Sequence, residues 1–505
     1  MDCNVINNEI NLCHTALDTY FEEKVDLDIT IPDYSPSAEK IIKCDVIPAI
    51  VSHSFDSEKM YIEGVCTANI MYTDEHTGQI KSISENLNFR REIPLKEKLD
   101  NLRAKFKIRT SNVLCRLQNS KRISVKTVVG IAIKVMGNSK YDLICGFENS
   151  DIESMYETAN IFPYINCGET QINIKGEIHS EFPVGDIIKY SADMLLTEVK
   201  VINERAILKG NAVIECLYTT GERIDDFCCS STVVPFSEIV DIPDAAEDDT
   251  CDTEILVTGI TVEMGNSSSN DIINFEIEGT AISSVFREMN IDLLKDVYSK
   301  TNKYTVESHS LAIESLVKKY DFTESVCDTI EVSIDDAIIK CLNAKANVKN
   351  VSANGNNLII EGDVTFFGVS HNRTEYSFFD KTTSFKVTQQ LSSDLSQIRC
   401  EANVLCESVD FVMPTETTLD CKAMLKFNIL VFSKNSYEII NNVMISDEAA
   451  GGELDSKIVL YFANCGEKLW DIAKKYSISV DNIKRCNKLS CETLNEDKML
   501  LISYK

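Results

Sequence analysis

Side chains that could perform catalysis or bind a metal are scattered along this chain. The histidines have no second ligand at the spacing of a metal site; they are His14, His53, His76, His179, His309 and His371. No glycine-rich phosphate loop ending in lysine occurs. The acidic stretch 244–254 could suggest calcium, but it lacks the alternating ligands and the central glycine of a calcium loop. These patterns predict a protein that is not an enzyme and that has no metal and no cofactor.

Cysteine is frequent, with 19 residues in 505. No pair has C-x-x-C spacing, and the adjacent Cys228 and Cys229 have poor geometry for a zinc site. The N-terminal residues, MDCNVINNEI, lack the basic start and apolar core of a secretory signal, which favours a reducing compartment. The sequence therefore predicts free thiols that act as small core residues, with late oxidative cross-linking as the alternative.

The charge of the chain limits its partners. Its 79 acidic and 50 basic residues give a net charge of -29, which repels nucleic acid and anionic membranes. No run of about 18 apolar residues occurs, so we expect no membrane insertion. Residues 457–505 differ from the rest, because nine basic and six acidic residues give this end a net charge of +3. A basic end on an acidic chain favours a docking surface; a solvated helix face is the alternative.

A repeat organises most of the chain. A tetrapeptide recurs as IIKC (41–44), IIKY (187–190) and IIKC (338–341). A glycine follows the last residue of each copy, after 20, 20 and 21 positions respectively, at Gly64, Gly210 and Gly362. Several landmarks in the same order predict three homologous domains. Apolar residues alternate within each copy, as from Ile123 to Val135, which predicts strands. Between the second and third copies, Leu311, Ile313, Leu316 and Val317 form an imperfect helical stripe, so we expect a helix over 308–320.

The last 49 residues have a different pattern. An alternating strand from Lys457 to Ala463 is followed by Gly466 and by apolar residues at helical spacing. Ser479 is a good N-cap for a second helix, and a final strand covers 499–502. We expect the core of this small domain to consist of Leu469, Trp470, Ile472, Tyr476 and Ile483.

These patterns resemble known families. The repeat, with Pro235-Phe236-Ser237 as one landmark, resembles the SPOCS domain of spore coat and exosporium proteins, and the strand-helix-helix-strand end resembles LysM. The fold class is therefore expected to be mainly β, with three tandem sandwich or barrel-like repeats and a small α+β (βααβ) domain. The expected boundaries are a segment at 1–23, repeats at 24–160, 166–300 and 322–447, a linker at 448–456 and the LysM-like domain at 457–505.

The LysM resemblance implies a binding site. LysM domains hold N-acetylglucosamine chains between two loops, which correspond here to Cys465, Gly466, Glu467 and Lys468 and to Asn487, Lys488 and Leu489. The usual Gly-Asp-Thr of the first loop is Gly466-Glu467-Lys468 in this chain, which replaces a short hydroxyl by a long cation.

Three SPOCS repeats followed by LysM resemble the SipL-like spore coat morphogenetic proteins. The resemblance implies a structural assembly protein in the mother-cell cytoplasm at the forespore surface and in the spore coat. Its implied partners are the coat-basement ATPase and other coat proteins. The alternative is a protein of the spore cortex or envelope that binds peptidoglycan or N-acetylglucosamine polymers through LysM.

Overall fold

A computed structural model describes residues 4–56, 58–96, 98–149, 151–220, 227–265, 270–332, 338–371, 376–391, 398–449 and 458–503. The described residues are mainly strand, with two short helices near the C-terminus. This arrangement confirms the expected mainly β class with a small α+β domain at the end.

The described strands fall into three regions, together called the body, and a C-terminal module. The first region contains β1 (Val5–Thr30), β2 (Ala38–Phe55), β3 (Lys59–Asp74), β4 (Ile80–Pro94), β5 (Asp100–Thr110), β6 (Leu114–Asn119) and β7 (Arg122–Phe147). The second contains β8 (Ile152–Ile161), β9 (Tyr164–His179), β10 (Val184–Ile202), β11 (Arg205–Thr220), β12 (Phe227–Asp241), β13 (Thr250–Met264), β14 (Ile272–Phe286) and β15 (Met289–Ser299). The third contains β16 (Asn302–Glu331), β17 (Ile338–Asn354), β18 (Asn357–His371), β19 (Tyr376–Gln390), β20 (Ile398–Thr415) and β21 (Thr418–Ala449). The module contains β22 (Ile458–Ala463), α1 (Leu469–Tyr476), α2 (Val480–Asn487) and β23 (Lys498–Ser503).

Each region of the body builds a core between two sheets. The meander sheets are β2-β3-β4, β10-β11-β12 and β17-β18-β19, and the ribbon sheets contain β1-β7-β5, β9-β14-β13 and β16-β21-β20. Buried side chains from both sheets pack together in each core. In the first region, for example, Ile62 of the meander sheet and Ile131 of the ribbon sheet belong to one buried cluster. The odd-numbered apolar residues from Ile123 to Val135 in β7 are all buried, because alternation places one face of the strand on the core.

Long antiparallel strand pairs join the three regions. β1 pairs with β7 from Val5↔Phe147 to Thr30↔Arg122, and β16 pairs with β21 from Asn302↔Ala449 to Glu331↔Thr418. The corresponding strand pair of the second region is β8 with β15. These three strand pairs share a buried core that includes Leu12, Leu293 and Ile439. The regions are therefore fused along a common core, which the sequence did not predict.

The strands run across the boundaries expected from the sequence. β1 includes residues on both sides of position 23, and β16 includes residues on both sides of position 322. β8 pairs with β15 of the second region, although the expected boundary at 160 assigned it to the first. The expected linker at 448–456 begins in the last two residues of β21, and 450–456 lies outside the described residues.

The helix expected over 308–320 is wrong, because this segment lies in β16. Leu311 and Ile313 are buried with a period of two, as in a strand. The register with β21 then shifts between Leu316 and Lys318, so Val317 is the extra residue of a bulge. The bulge shifts the phase of the apolar pattern and produces spacing that resembles a helical stripe.

The repeated glycines occupy equivalent positions in the meander sheets. Gly64 pairs with Ile50, Gly210 with Leu196 and Gly362 with Val348. A Cβ at Gly210 would lie 2.5 Å from the carbonyl oxygen of Leu195 and 2.5 Å from Cζ of Phe236. The rings of Phe89 and Phe385 crowd the other two glycines in the same way. Glycine at these positions therefore marks a close approach of the strand to an aromatic ring and a neighbouring carbonyl.

The repeated tetrapeptide is displaced in the third region. Lys43 pairs with Met71 and lies seven positions before the strand partner of Gly64. Lys189 pairs with Leu217 and likewise lies seven positions before the strand partner of Gly210. In the third region that position is Cys341, which pairs with Val369. Cys341 is therefore the structural equivalent of the two lysines, and the IIKC segment at 338–341 is one residue out of register.

A half-buried carboxylate joins the third region to the first. Glu401 on β20 accepts hydrogen bonds from Nζ of Lys105 at 2.9 Å and Nζ of Lys134 at 3.1 Å, and it also pairs with Arg399. Burial raises the pKa of the Glu401 carboxyl, but the three cations outweigh it and hold that pKa well below its usual range.

Candidate functional site

The C-terminal module folds around a small apolar core. Leu469, Ile472 and Ile483 are buried as expected, and Leu500 and Ile502 of β23 complete the core. Apolar spacing places one face of each helix on the β22–β23 hairpin. The side chain of Ser479 accepts a hydrogen bond from the backbone N–H of Asn482, which confirms Ser479 as the N-cap of α2.

The first loop is a tight turn held by its own side chains. Gly466 has φ of +89°, a backbone conformation that favours glycine. The Glu467 carboxylate accepts hydrogen bonds from the Tyr461 hydroxyl at 3.1 Å and from the Asn464 amide at 2.9 Å. Lys468 is the N-cap of α1 and makes no side-chain cap hydrogen bond. The lysine thus leaves α1 without the side-chain acceptor that a short hydroxyl would supply.

The first loop pairs with a segment that the sequence pattern did not single out. The backbone N–H of Gly466 donates to the Leu494 carbonyl at 2.7 Å, and that of Leu494 donates to the Glu467 carbonyl at 3.0 Å. The N–H of Leu469 donates to the Glu492 carbonyl at 2.8 Å. These contacts are between backbone atoms, so no residue type in 492–494 indicated them.

The second expected loop lies at the end of α2. The Asn487 side chain donates to the carbonyl of Leu501 at 2.8 Å and accepts from the N–H of Leu501 at 2.7 Å. Lys488 is the C-cap, with φ of 54°, and is exposed. The contacts of Asn487 therefore tie α2 to β23, whereas the contacts of the first loop run to 492–494.

Trp470 and Tyr476, both expected in the core, are half-buried. The ring of Tyr476 makes an edge contact with Tyr461 inside the module. Trp470 instead faces the body: its ring makes an edge contact with Tyr298 of β15, with centroids 4.9 Å apart. The Trp470 Nε1–H donates to Asp296 at 2.8 Å, and Lys474 Nζ donates to the same carboxylate at 2.6 Å. The only tryptophan of the chain thus belongs to a contact between module and body.

The acceptor for both contacts is a single aspartate. Burial raises the pKa of the Asp296 carboxyl, but the hydrogen bonds from Lys474 and Trp470 outweigh burial and hold that pKa below its usual range. The Tyr298 hydroxyl adds a buried hydrogen bond to the carbonyl of Ile478 at 2.7 Å. The sequence did not predict Asp296 or Tyr298, which lie more than 170 residues before their partners.

The hairpin of the module has an uncovered apolar face. Ile458 and Leu460 are each 56% exposed, Met499 is 52% exposed and Phe462 is 75% exposed. Phe462 pairs with Met499 across the two strands, so their side chains lie on the same face. The alternate residues of the hairpin, among them Ala463 and Leu500, are buried under the helices. These four exposed side chains, called the hairpin face, are on the opposite side of the sheet.

Family comparisons identify these units. A family described as SipL, SPOCS domain matches residues 37–116 and 183–265, which correspond to β2–β6 and β10–β13. The LysM domain family matches residues 466–503. The chain carries SPOCS domains and a LysM domain. The SPOCS match associates the protein with sporulation and the spore coat, and LysM is a glycan-binding type of domain; both are non-catalytic binding families.

No curated protein and no solved structure shows a significant match to the chain. Neither described helix of the SPOCS–LysM chain is long and apolar enough to span a membrane. Within the described ranges, no group of three or more His, Cys, Asp or Glu side chains is arranged to hold a metal ion. The acidic stretch 244–254 contacts Arg287, whose guanidinium donates to Asp249 at 2.7 Å.

The described cysteines other than Cys228 are free thiols, and they differ in burial. Cys66, Cys216 and Cys421 are buried, Cys145, Cys327 and Cys465 are exposed, and the others are half-buried. The expectation of small core cysteines therefore holds for most of the described ones, because the majority lie in a buried apolar cluster or pack against one.

Proposed function

We propose that this protein is a non-enzymatic assembly protein of the bacterial endospore coat, which links coat layers to the forespore surface through protein contacts. The observation that carries the proposal is the combination of two SPOCS domains with a C-terminal LysM domain in one chain. The proposed location is the mother-cell cytoplasm at the forespore surface. The proposed partners are the coat-basement ATPase and other coat proteins.

We further propose that residues 322–447 are a third SPOCS-type repeat, after repeats at 24–160 and 166–300. Its meander sheet has the same strand order as the other two, and Gly362 has the same pairing and the same aromatic neighbour as Gly64 and Gly210. A substitution in the full chain tests this proposal. A chain with Gly362→Ala should lose stability by about the same amount as one with Gly210→Ala, measured by urea unfolding.

The LysM domain is proposed to dock on the ATPase through its first loop and the hairpin face. The Trp470 side of the domain contacts the body, which leaves the hairpin face and Lys468 exposed. An exposed apolar patch with a charged rim is typical of a protein interface. In the second loop, Lys488 is exposed and is a further candidate contact, while Asn487 is occupied by β23.

Glycan binding is the second candidate function, because LysM is a glycan-binding type of domain. Two observations weigh against it. The first loop has Lys468 in place of a short hydroxyl, and the N–H groups of Gly466 and Leu494 already donate to backbone carbonyls across the loop pair. A sugar would have to find other donors.

Titration of the full chain separates these functions. We expect the coat-basement ATPase to bind, and N-acetylglucosamine oligomers to bind weakly or not at all. Phe462→Ser should weaken ATPase binding at least about tenfold by removing the most exposed apolar side chain of the hairpin face. Met264→Ser is the control, because Met264 is an exposed apolar residue on the body. Micromolar binding of the sugar with no binding of the ATPase would reverse the assignment.

A further inference from the structure

The meander sheets meet around a small cavity. Met71, Leu217 and Val369, which occupy equivalent positions in the three regions, belong to one buried cluster at this junction. Their strand partners Lys43, Lys189 and Cys341 line the same cavity, together with Phe367, Glu215 and Cys229. The cavity has a volume of ≈ 30 Å³, enough for a molecule of about the size of one or two waters.

Two cysteines from different regions meet in this cavity. Cys229 is on β12 of the second region and Cys341 is on β17 of the third. Both are half-buried free thiols in the same cluster, and a hydrogen bond joins their side chains. The cavity gives a small solute access to the pair.

The two thiols differ in chemistry. The hydrogen bond from Cys229 lowers the pKa of the Cys341 thiol, and the Lys189 ammonium lowers it further against burial and the Glu215 carboxylate. The same hydrogen bond and burial raise the pKa of Cys229. Lys189 is held beside the pair, with Nζ 4.5 Å from the centre of the Phe367 ring and 2.9 Å from Asp45. Cys341 is therefore the better nucleophile, and Cys229 is its proton-bearing neighbour.

We propose that Cys341 and Cys229 form an oxidation site for hydrogen peroxide, in which a disulfide locks the second region of the body to the third. This proposal is independent of the partner assigned to the LysM domain. It commits to a peroxide-sized oxidant because the cavity is too small for a thiol reagent such as glutathione disulfide.

The reaction has two balanced steps. The Cys341 thiolate attacks one oxygen of hydrogen peroxide, so an S–O bond forms and the O–O bond breaks. The departing hydroxide combines with the proton that Cys341 lost on ionising and leaves as the first water. The Cys229 sulfur then attacks the sulfenic sulfur of Cys341, so the S–S bond forms and the S–O bond breaks. The displaced hydroxide takes the Cys229 proton and leaves as water. In total, two thiols and one hydrogen peroxide give one disulfide and two waters.

The test uses the full reduced chain, hydrogen peroxide, alkylation of the remaining thiols and non-reducing peptide mass spectrometry. We expect a peptide that joins Cys229 to Cys341, before the exposed Cys145, Cys327 and Cys465 are modified. In Cys229→Ser, a sulfenic acid should accumulate on Cys341 and react with dimedone. In Cys341→Ser, Cys229 should remain a thiol. A second hydrogen-bonded pair, Cys44 and Cys115, lies within the first region and gives a different linked peptide.

The charges beside Cys341 make the pH dependence of its oxidation a second test. Closeness of the two sulfur atoms alone would not make this pH dependence sensitive to Lys189 or Glu215. Lys189→Met should slow the reaction several-fold at neutral pH and shift its pH profile upward, because the cation that favours the thiolate is lost. Glu215→Gln should shift the profile downward. Lys209→Met is the control, because Lys209 is an exposed lysine of the second region and does not line the cavity. Oxidation of the exposed thiols while Cys229 and Cys341 stay reduced would overturn the proposal, and so would an unchanged pH profile in both Lys189→Met and Glu215→Gln.

Discussion

Asp296→Ala should detach the LysM domain from the SPOCS body. The carboxylate accepts one hydrogen bond from the Trp470 indole and one from Lys474, and a hydrogen bond to a charged group contributes about 1.5–3 kcal/mol. The Lys474 contact is partly exposed, so it adds less than about 1 kcal/mol. Loss of both should weaken docking by about 2–3 kcal/mol, which is roughly 30–150-fold in the docking equilibrium constant.

Fluorescence of Trp470 measures this directly, because it is the only tryptophan of the chain. Undocking moves the indole from the Tyr298 ring into water, so we expect a red-shifted emission and stronger acrylamide quenching in Asp296→Ala. Asp292→Ala is the matched control: Asp292 is on the same strand, and its carboxylate accepts from Thr158 of the body. Emission and quenching equal to the parent, with an unchanged circular dichroism spectrum, would refute the reasoning.

Acid should have the same effect as the substitution. The docked state holds the pKa of Asp296 below its usual value, so the carboxylate contribution to docking is fully present above the usual 3.8. It is lost as the pH falls through the lowered pKa. The red shift of Trp470 should therefore begin below about pH 4 in the parent chain and be absent from the pH titration of Asp296→Ala.

Three further substitutions test the fold. Gly210→Ala should destabilise the body by about 2–3 kcal/mol in urea unfolding, because the new Cβ would clash with a backbone carbonyl and the Phe236 ring. Gly146→Ala is the control, because its Cβ would make ordinary contacts, and its free energy of unfolding should stay within about 0.5 kcal/mol of the parent. Equal effects of the two would show that close approach is unimportant. Lys468→Thr should stabilise the LysM domain by about 1 kcal/mol by capping α1, and an unchanged Trp470 unfolding midpoint would contradict this. Glu401→Gln should lower the free energy of unfolding by about 3 kcal/mol at neutral pH. The difference from the parent should shrink as the pH falls well below 4.5, because the parent carboxylate is then protonated and loses the same charge. A difference that does not change with pH would refute the ion-pair account.

Local patterns in the sequence predicted local structure well. The helical spacing around Leu469 and the N-cap Ser479 gave both helices of the LysM domain, because a short helix on a hairpin depends on residues close in sequence. The recurrence of glycine at three equivalent positions was also visible in the sequence, and the structure explains it by the close backbone approach at Gly210.

Long-range features were not predictable from the same patterns. A single bulged residue, Val317, gave strand residues an apparent helical spacing. A similar one-residue shift placed Cys341, rather than Lys340, at the position of Lys43 and Lys189, and only the pairing with β18 reveals it. The contact of Trp470 with Asp296 depends on how the LysM domain packs on the body, and no spacing rule in the chain encodes it.

The long pairs of distant strands impose an order on synthesis. The pairing of β1 is complete only when the ribosome has added residues up to Phe147, which takes roughly 5–30 s at bacterial rates. β16 waits in the same way for β21. A nascent strand with unpaired backbone groups invites pairing with other chains, and charged residues along it oppose such pairing. β1 carries Glu9, Asp18, Glu22, Glu23 and Asp26, so the acidity of this strand protects the chain while it is still being made.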